Sequence, residues 1–351
     1  MCEFESYLLK DLINDLDKNN NEKNKFLNYQ KFFSDFKSGD FAQQKNNLVK
    51  SGNSSKNSTC SSNNNSFNLY TRADLLNLLK SKKNSILLQK EIKAFSEFEI
   101  EHIVYELKGE FTNLLKDKNG NYFCSDLFKL CSQELIGVIV LEIKAEILNL
   151  ILHDFANHPI QTIIECISSE KNYILISDIF PNEKKLLDIA LNPNGSFVVQ
   201  KFIMNIPDKY RKSFNEYFLK IFYDLIFDMY GICTVKKFIY KTKDEDVLGK
   251  FMQIIYDKFL EISQNQYGNY LIQFLLDILK QNPLIINLKN LIINNFYELS
   301  INQYSNHICD LFIKELDENK KKCLLYHLIN NGIYQKLLNN KYGIYIINKL
   351  M

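Results

Sequence analysis

Gly268-Asn269-Tyr270-Leu271-Ile272-Gln273 is one copy of the phrase whose reading decides the fold. Its pattern is a small residue, a polar residue, a flat or bulky one, two apolar residues and a polar residue. Working outward, the earlier copies are Asn84-Ser85-Ile86-Leu87-Leu88-Gln89, Gly120-Asn121-Tyr122-Phe123-Cys124-Ser125, Ala156-Asn157-His158-Pro159-Ile160-Gln161, Gly195-Ser196-Phe197-Val198-Val199-Gln200 and Gly231-Ile232-Cys233-Thr234-Val235-Lys236. Ser305-Asn306-His307-Ile308-Cys309-Asp310 and Gly343-Ile344-Tyr345-Ile346-Ile347-Asn348 follow. Second members fall at 85, 121, 157, 196, 232, 269, 306 and 344, so neighbouring copies lie 36, 36, 39, 36, 37, 37 and 38 residues apart. A period this steady marks stacked repeat units, each burying its apolar face against the next.

Between the phrases the period is helical. In the second unit Ile100, Ile103, Val104, Leu107, Phe111, Leu114 and Leu115 are spaced by threes and fours, which marks a helix with one buried stripe. Asn119-Gly120-Asn121 is expected to break that helix, and Tyr122 to Phe128 to start another. Glycine opens five of the eight phrases, and the expected reason is a left-handed turn ending the preceding helix. The Asn or Ser that follows in six copies suits a helix cap. Nothing in these units alternates as strands do. The expected fold is an all-α solenoid of about eight repeats.

Three zones are expected. Residues 1–38 read as a helical or partly ordered segment, with Tyr7, Leu8, Leu12, Ile13 and Leu16 at roughly helical spacing. Residues 39–69 are a low-complexity linker rich in Ser, Asn, Lys and Gly, too poor in apolar side chains to offset chain entropy. Residues 70–351 are the repeat domain. With 46% hydrophobic residues a substantial core can form, and a formal net charge of +2 excludes a wholesale basic coat while permitting a local basic groove. The eight cysteines form no Cys-x-x-Cys pair and the five histidines complete no zinc pattern. Free thiols in a reducing compartment are expected, with no metal and no cofactor. The acidic start Met1-Cys2-Glu3-Phe4-Glu5 is not a signal peptide, and the apolar run Ile136 to Leu141 is too short to cross a membrane. A soluble cytoplasmic protein is expected, with the nucleus or nucleolus as the alternative. No nucleophile triad or glycine-rich phosphate loop is present, so no enzyme and no small-molecule substrate are expected.

On a helix the second and sixth members of the phrase share a face, and the third lies beside them. The fourth and fifth point to the core. Stacked repeats therefore line up a ladder of polar pairs and flat side chains. Such a ladder suits a single-stranded nucleic acid whose bases are sandwiched between flat residues of adjacent repeats and touched at their edges by the polar pair. The candidate edge readers are Ser85, Gln89, Asn121, Ser125, Asn157, Gln161, Ser196, Gln200, Asn269, Gln273, Asn306, Asp310 and Asn348. The candidate stackers are Tyr122, His158, Phe197, Tyr270, His307 and Tyr345. Any one of these aromatics taken alone could equally pack a core. Their recurrence at one phase is what favours the surface reading. Asn and Gln carry both donors and acceptors, base-on-aromatic stacking contributes about 1–3 kcal/mol per base, and Lys90, Lys201, Lys236, Lys237 and Lys349 are placed to reach phosphates.

Across residues 70–351 these features resemble the Pumilio family of single-stranded RNA-binding proteins, and the sixth phrase is almost a consensus copy. The resemblance implies a right-handed, crescent-shaped superhelix of three-helix repeats whose second helices line the concave face. It implies one base per repeat, with the 5′ end of the RNA at the last repeat. Family pairing implies uracil for Asn157/Gln161 and Asn269/Gln273, adenine for Ser85/Gln89 and Ser196/Gln200, and guanine, more weakly, for Asn306/Asp310. Ile232/Lys236, Ile344/Asn348 and Asn121/Ser125 depart from the family's pairs. The resemblance further implies a regulator of mRNA translation or stability that binds 3′ untranslated regions, with protein co-regulators on the convex face. It also implies a capping half-repeat after the eighth copy, whereas this sequence ends at Met351 inside that copy's base-facing helix. Two alternatives stay open: a degenerate relative binding structured RNA in ribosome biogenesis, and a helical scaffold that binds proteins.

Overall fold

The computed structural model describes residues 70–351 apart from 243 and 281, and among these every regular element is helical. The expected zones 1–38 and 39–69 lie outside the described residues. The eight phrases sit on, or open, eight helices: α1 (Lys82–Glu91), α2 (Gly120–Phe128), α3 (Asn157–Cys166), α4 (Gly195–Asn205), α5 (Met229–Lys241), α6 (Asn269–Ile278), α7 (Asn306–Lys314) and α8 (Lys341–Leu350). Each packs on the next, α1 on α2 through to α7 on α8, forming one continuous row. Ahead of most of them run a long helix and a short one. In the second unit these are Glu97–Glu106 and Phe111–Lys116, and in the third Gln133–Ile143 and Ile147–Leu152.

The predicted stripe of the second unit is buried, but it belongs to two helices. Ile100, Ile103, Val104 and Leu107 are separated from Phe111, Leu114 and Leu115 by Gly109, whose φ of 90° lies in the left-handed region. The break therefore comes eleven residues before the phrase. In the fifth unit the long and short helices are fused into Lys212–Ile226. Its Phe218 stacks on Phe238 of α5 with ring centroids 4.3 Å apart and planes within 9°. Arg211, fully buried, lies over the same Phe238 ring and pairs with Asp208.

The glycines of the phrase do not adopt the expected left-handed turn. Among the described residues positive φ occurs at Gly109 and Gly332, outside the phrase. What the phrase demands is a close approach. A Cβ on Gly268 would stand 2.4 Å from the carbonyl oxygen of Ile262, and one on Gly195 the same distance from that of Ile189. Gly120, Gly231 and Gly343 meet the carbonyls of Leu114, Leu225 and Leu337 in the same way. In these five units the phrase helix thus begins with its backbone pressed on the end of the helix before it, six residues back. Where the first member is Ser305, its hydroxyl donates to the equivalent carbonyl, Leu299 O, at 2.8 Å.

The expected caps are displaced too. The polar second member lies inside the helix. The cap is the residue three positions before the phrase, whose side chain accepts from two successive backbone N–H groups. Asp117, His153, Asn192, Asp228, Asn265, Asn302 and Asn340 all do this, Asn265 Oδ1 receiving Tyr267 N at 2.8 Å and Gly268 N at 3.0 Å. Orphan N–H groups at the helix start are satisfied by an acceptor reaching forward. The corresponding Ser81 of the first unit makes no such bond.

Candidate nucleic-acid interface

From the second to the seventh unit the phrase repeats one burial pattern. The first, second, fourth and fifth members are buried, and the sixth is half-buried except for Asp310, which is buried. The third is exposed except at half-buried Cys233. The six predicted stackers stand on the open side of the row, Tyr122 63% exposed, Phe197 and Tyr345 43% and Tyr270 37%, with His158 and His307 also exposed. A large ring left in water beside two buried apolar neighbours is placed there by the helical phase: its Cβ projects away from the flank that packs on the core.

The predicted edge pairs are arranged differently from two arms on one exposed strip. Ser85, Asn121, Asn157, Ser196, Asn269 and Asn306 are buried. Ser85 Oγ reaches Asn119 O of the next unit at 3.3 Å. The asparagine amides are tied to backbone. Asn269 Nδ2 donates to Asn265 O at 2.8 Å and Gln266 O at 2.9 Å, while Asn157 Nδ2 donates to His153 O at 2.9 Å and Asp154 O at 3.0 Å. Asn121 and Asn306 donate to Asp117 O and Asn302 O, each at 2.8 Å. The carbonyl of the asparagine then holds the glutamine: Gln273 Nε2 donates to Asn269 Oδ1 at 2.7 Å and Gln161 Nε2 to Asn157 Oδ1 at 3.0 Å. Gln89 Nε2 meets Ser85 Oγ at 3.1 Å. Each such glutamine keeps its Oε1 and one N–H for a ligand. The buried second member is thus a bracket, and the glutamine is the arm.

The remaining predicted readers differ among themselves. Gln200 is half-buried and Ser196 Oγ turns to Pro193 O at 3.4 Å. Ser125 Oγ donates to its own helix at Asn121 O, 2.9 Å away. Asp310 is held by Lys314, Nζ to Oδ2 2.6 Å, and its Oδ1 is buried without a hydrogen-bond partner. That bond raises the Lys314 pKa, so the ammonium stays charged beside the acid. The repeating phrase gives no sign of Lys314, which lies four residues beyond its last member. At α8 both Ile344 and Asn348 are exposed.

The lysines are not a uniform phosphate rail. Lys201 pairs with Glu165 of the preceding unit, an exposed pair that makes the strip locally neutral. Lys90 is exposed and Lys237 half-buried, and Lys349 Nζ lies 5.2 Å from the Tyr345 ring centroid. Lys236 crosses from α5 to α6, its Nζ 5.4 Å from the Tyr270 ring centroid and 5.9 Å from that of Phe274. Burial disfavours its charged form and lowers its pKa from 10.5 to about 8. Between those two pH values the unfolded chain binds the proton more tightly, so stability rises with pH across the window from about 8 to 10.5. A Lys236→Met variant is expected to flatten that rise, by on the order of 1 kcal/mol at pH 9–10. Urea unfolding of both proteins at successive pH values checks this, and an unchanged rise in the variant would contradict the assignment.

A family model described as Pumilio-family RNA binding repeat matches residues 185–213, 258–281 and 295–329. These segments hold the fourth, sixth and seventh phrases. No curated protein matches the chain by sequence. Among solved structures, the Puf4 RNA binding domain bound to the HO endonuclease RNA 3′ UTR recognition sequence superimposes with a TM-score of 0.70 at 20% identity, covering 78% of this chain and 85% of that one. PUF-8 in complex with PBE-RNA gives 0.69 at 21%, covering 81% and 85%. The RNA-binding domain of yeast Puf5p bound to AAT2 RNA gives 0.66 at 21%, covering 79% and 82%. At these identities the likeness is one of fold.

Proposed function

We propose that this chain, which belongs to the Pumilio family as a divergent member, binds single-stranded RNA along the row α1–α8, one base per intact repeat, as a post-transcriptional regulator of mRNA in the cytoplasm. The observation that carries this reading is the phase shared by the exposed third members Tyr122, His158, Phe197, Tyr270, His307 and Tyr345. Core packing would bury such rings. A row of them facing the same way provides successive platforms for bases. The glutamines Gln89, Gln161 and Gln273, oriented by buried brackets, supply edge contacts beside those platforms. Regulation of mRNA through 3′ untranslated sequences is the finer part of the proposal, supported by the RNA partners of Puf4.

Selection from a random RNA pool tests the binding mode. Enrichment of a motif with uracils opposite the sixth and third units and adenines opposite the fourth and first is expected. Binding that falls steeply with salt and enriches no motif would favour the structured-RNA alternative. Absence of RNA binding at low salt, with a protein co-purifying, would favour the scaffold.

A further inference from the structure

The gap between the third members of α5 and α6 differs from those on either side. Its α6 wall is the ring of Tyr270, and its α5 wall is the half-buried thiol of Cys233, which offers no flat face. The bracket position holds Ile232, buried and without a polar atom. The arm position holds Lys236, which issues from α5 and lays its ammonium on Tyr270 and Phe274 of α6. The side of Tyr270 that would receive a base is therefore already covered by a cation attracted to the ring. Lys236 is donor-only and Ile232 offers nothing, so the Watson–Crick edge of any base meets no acceptor here. The low proton affinity of Lys236 agrees with an ammonium drawn out of water into this gap.

Resting on the RNA-binding reading, we infer that the fifth repeat is an unread spacer. Lys236 fills its base slot, so the protein recognises RNA as two blocks, one on α6–α7 and one on α1–α4, separated by a nucleotide of free identity. The nucleotide opposite α5 contributes its phosphate, which an ammonium at this position attracts, and its base is not selected. Neighbouring slots retain discrimination because Gln273 on one side keeps its bracketed geometry and Phe197 on the other keeps its exposed ring.

The test uses the full chain and fluorescein-labelled RNAs 5′-UGUNAUUA-3′, in which the fourth nucleotide faces α5. That position is occupied in turn by each base and by an abasic residue. Affinities for all five RNAs are expected within about 2-fold of each other, whereas changing the third nucleotide, opposite Gln273, weakens binding by about 10-fold or more. A second variant makes the slot readable. Ile232→Asn with Lys236→Gln recreates the bracket and arm of the third and sixth repeats, Asp228 O being in place to take the new amide. This variant is expected to prefer uracil at the fourth position by about 10-fold. A wild-type preference of about 10-fold for any base there, cytosine included, overturns the inference. So does a double variant that stays blind at the fourth position while still discriminating at the third. Loss of discrimination at the third nucleotide in the wild type would instead overturn the RNA-reading proposal on which the inference stands.

Discussion

Tyr270→Ala is expected to weaken RNA binding by about 10- to 100-fold while leaving the fold intact, since truncating a stacking aromatic costs about 1–3 kcal/mol per base. The ring stands on the open side of α6, and its removal opens no cavity in the core. It also sits at the most complete site of the row: Gln273 is fixed by Asn269, and Asn269 by Asn265 and Gln266. Anisotropy titration with the selected RNA measures the loss, and circular dichroism confirms the helix content. Cys233→Ala is the matched control, because the same position in α5 carries no ring; its affinity is expected to stay within about 2-fold. Ile232, which from the sequence alone looks like an equally good control, is unsuitable because it is buried. Equal losses in Tyr270→Ala and Cys233→Ala would refute the stacking assignment.

Gly268→Ala is expected to destabilise the protein by about 3 kcal/mol and to lower Tm by roughly 6 °C. Gly268 immediately precedes α6 with helical backbone angles, φ −58° and ψ −35°, so local helix propensity would favour alanine by at most about 1 kcal/mol. The tertiary contact outweighs it. The new methyl would stand 2.4 Å from Ile262 O, and both groups are backbone-anchored, so relief requires α6 to move away from the short helix Phe259–Ser263. Movement of α6 would disturb the row on both sides, because α5 and α7 pack on it. Gly249, where an added methyl would meet nothing within 4 Å, is the control, and Gly249→Ala is expected to be neutral or slightly stabilising. Differential scanning calorimetry separates the two, and a Gly268→Ala protein as stable as the parent would sink the close-approach account.

How much of the site is legible in the sequence depends on whether a feature travels with the repeat. The stackers do: the third position is marked by ring after ring at a fixed phase, so periodicity alone places Tyr122, Phe197 and Tyr270 on the surface. The caps also travel, as Asp117, His153, Asn192, Asp228, Asn265, Asn302 and Asn340, but their identity varies and they precede the conspicuous phrase. They are visible three positions upstream of it, since six of these seven are Asp or Asn. The second member is ambiguous in sequence because Asn and Ser suit both a cap and a base contact. Its burial, and the turn of the asparagine amides onto backbone carbonyls three or four residues back, are seen only in the folded chain. Lys236 is the clearest case: as a sequence position it is a cation on a polar strip, and in the fold it lies against the Tyr270 ring of the next repeat.

The sequence by itself determined the repeat, its helical character, the phase of the open face and the units in which the recurring phrase departs from its own pattern. These follow from periodicity, because a side chain's direction on a helix is set by its position along the chain. Only the tertiary structure decided why the phrase begins with glycine, which member of each polar pair is buried and which is half-exposed, and that Lys236 lies against the Tyr270 ring of the next helix. The first and last arise where one helix meets another, at separations of six residues or of a whole repeat, and no local pattern records which atoms will be pressed together there.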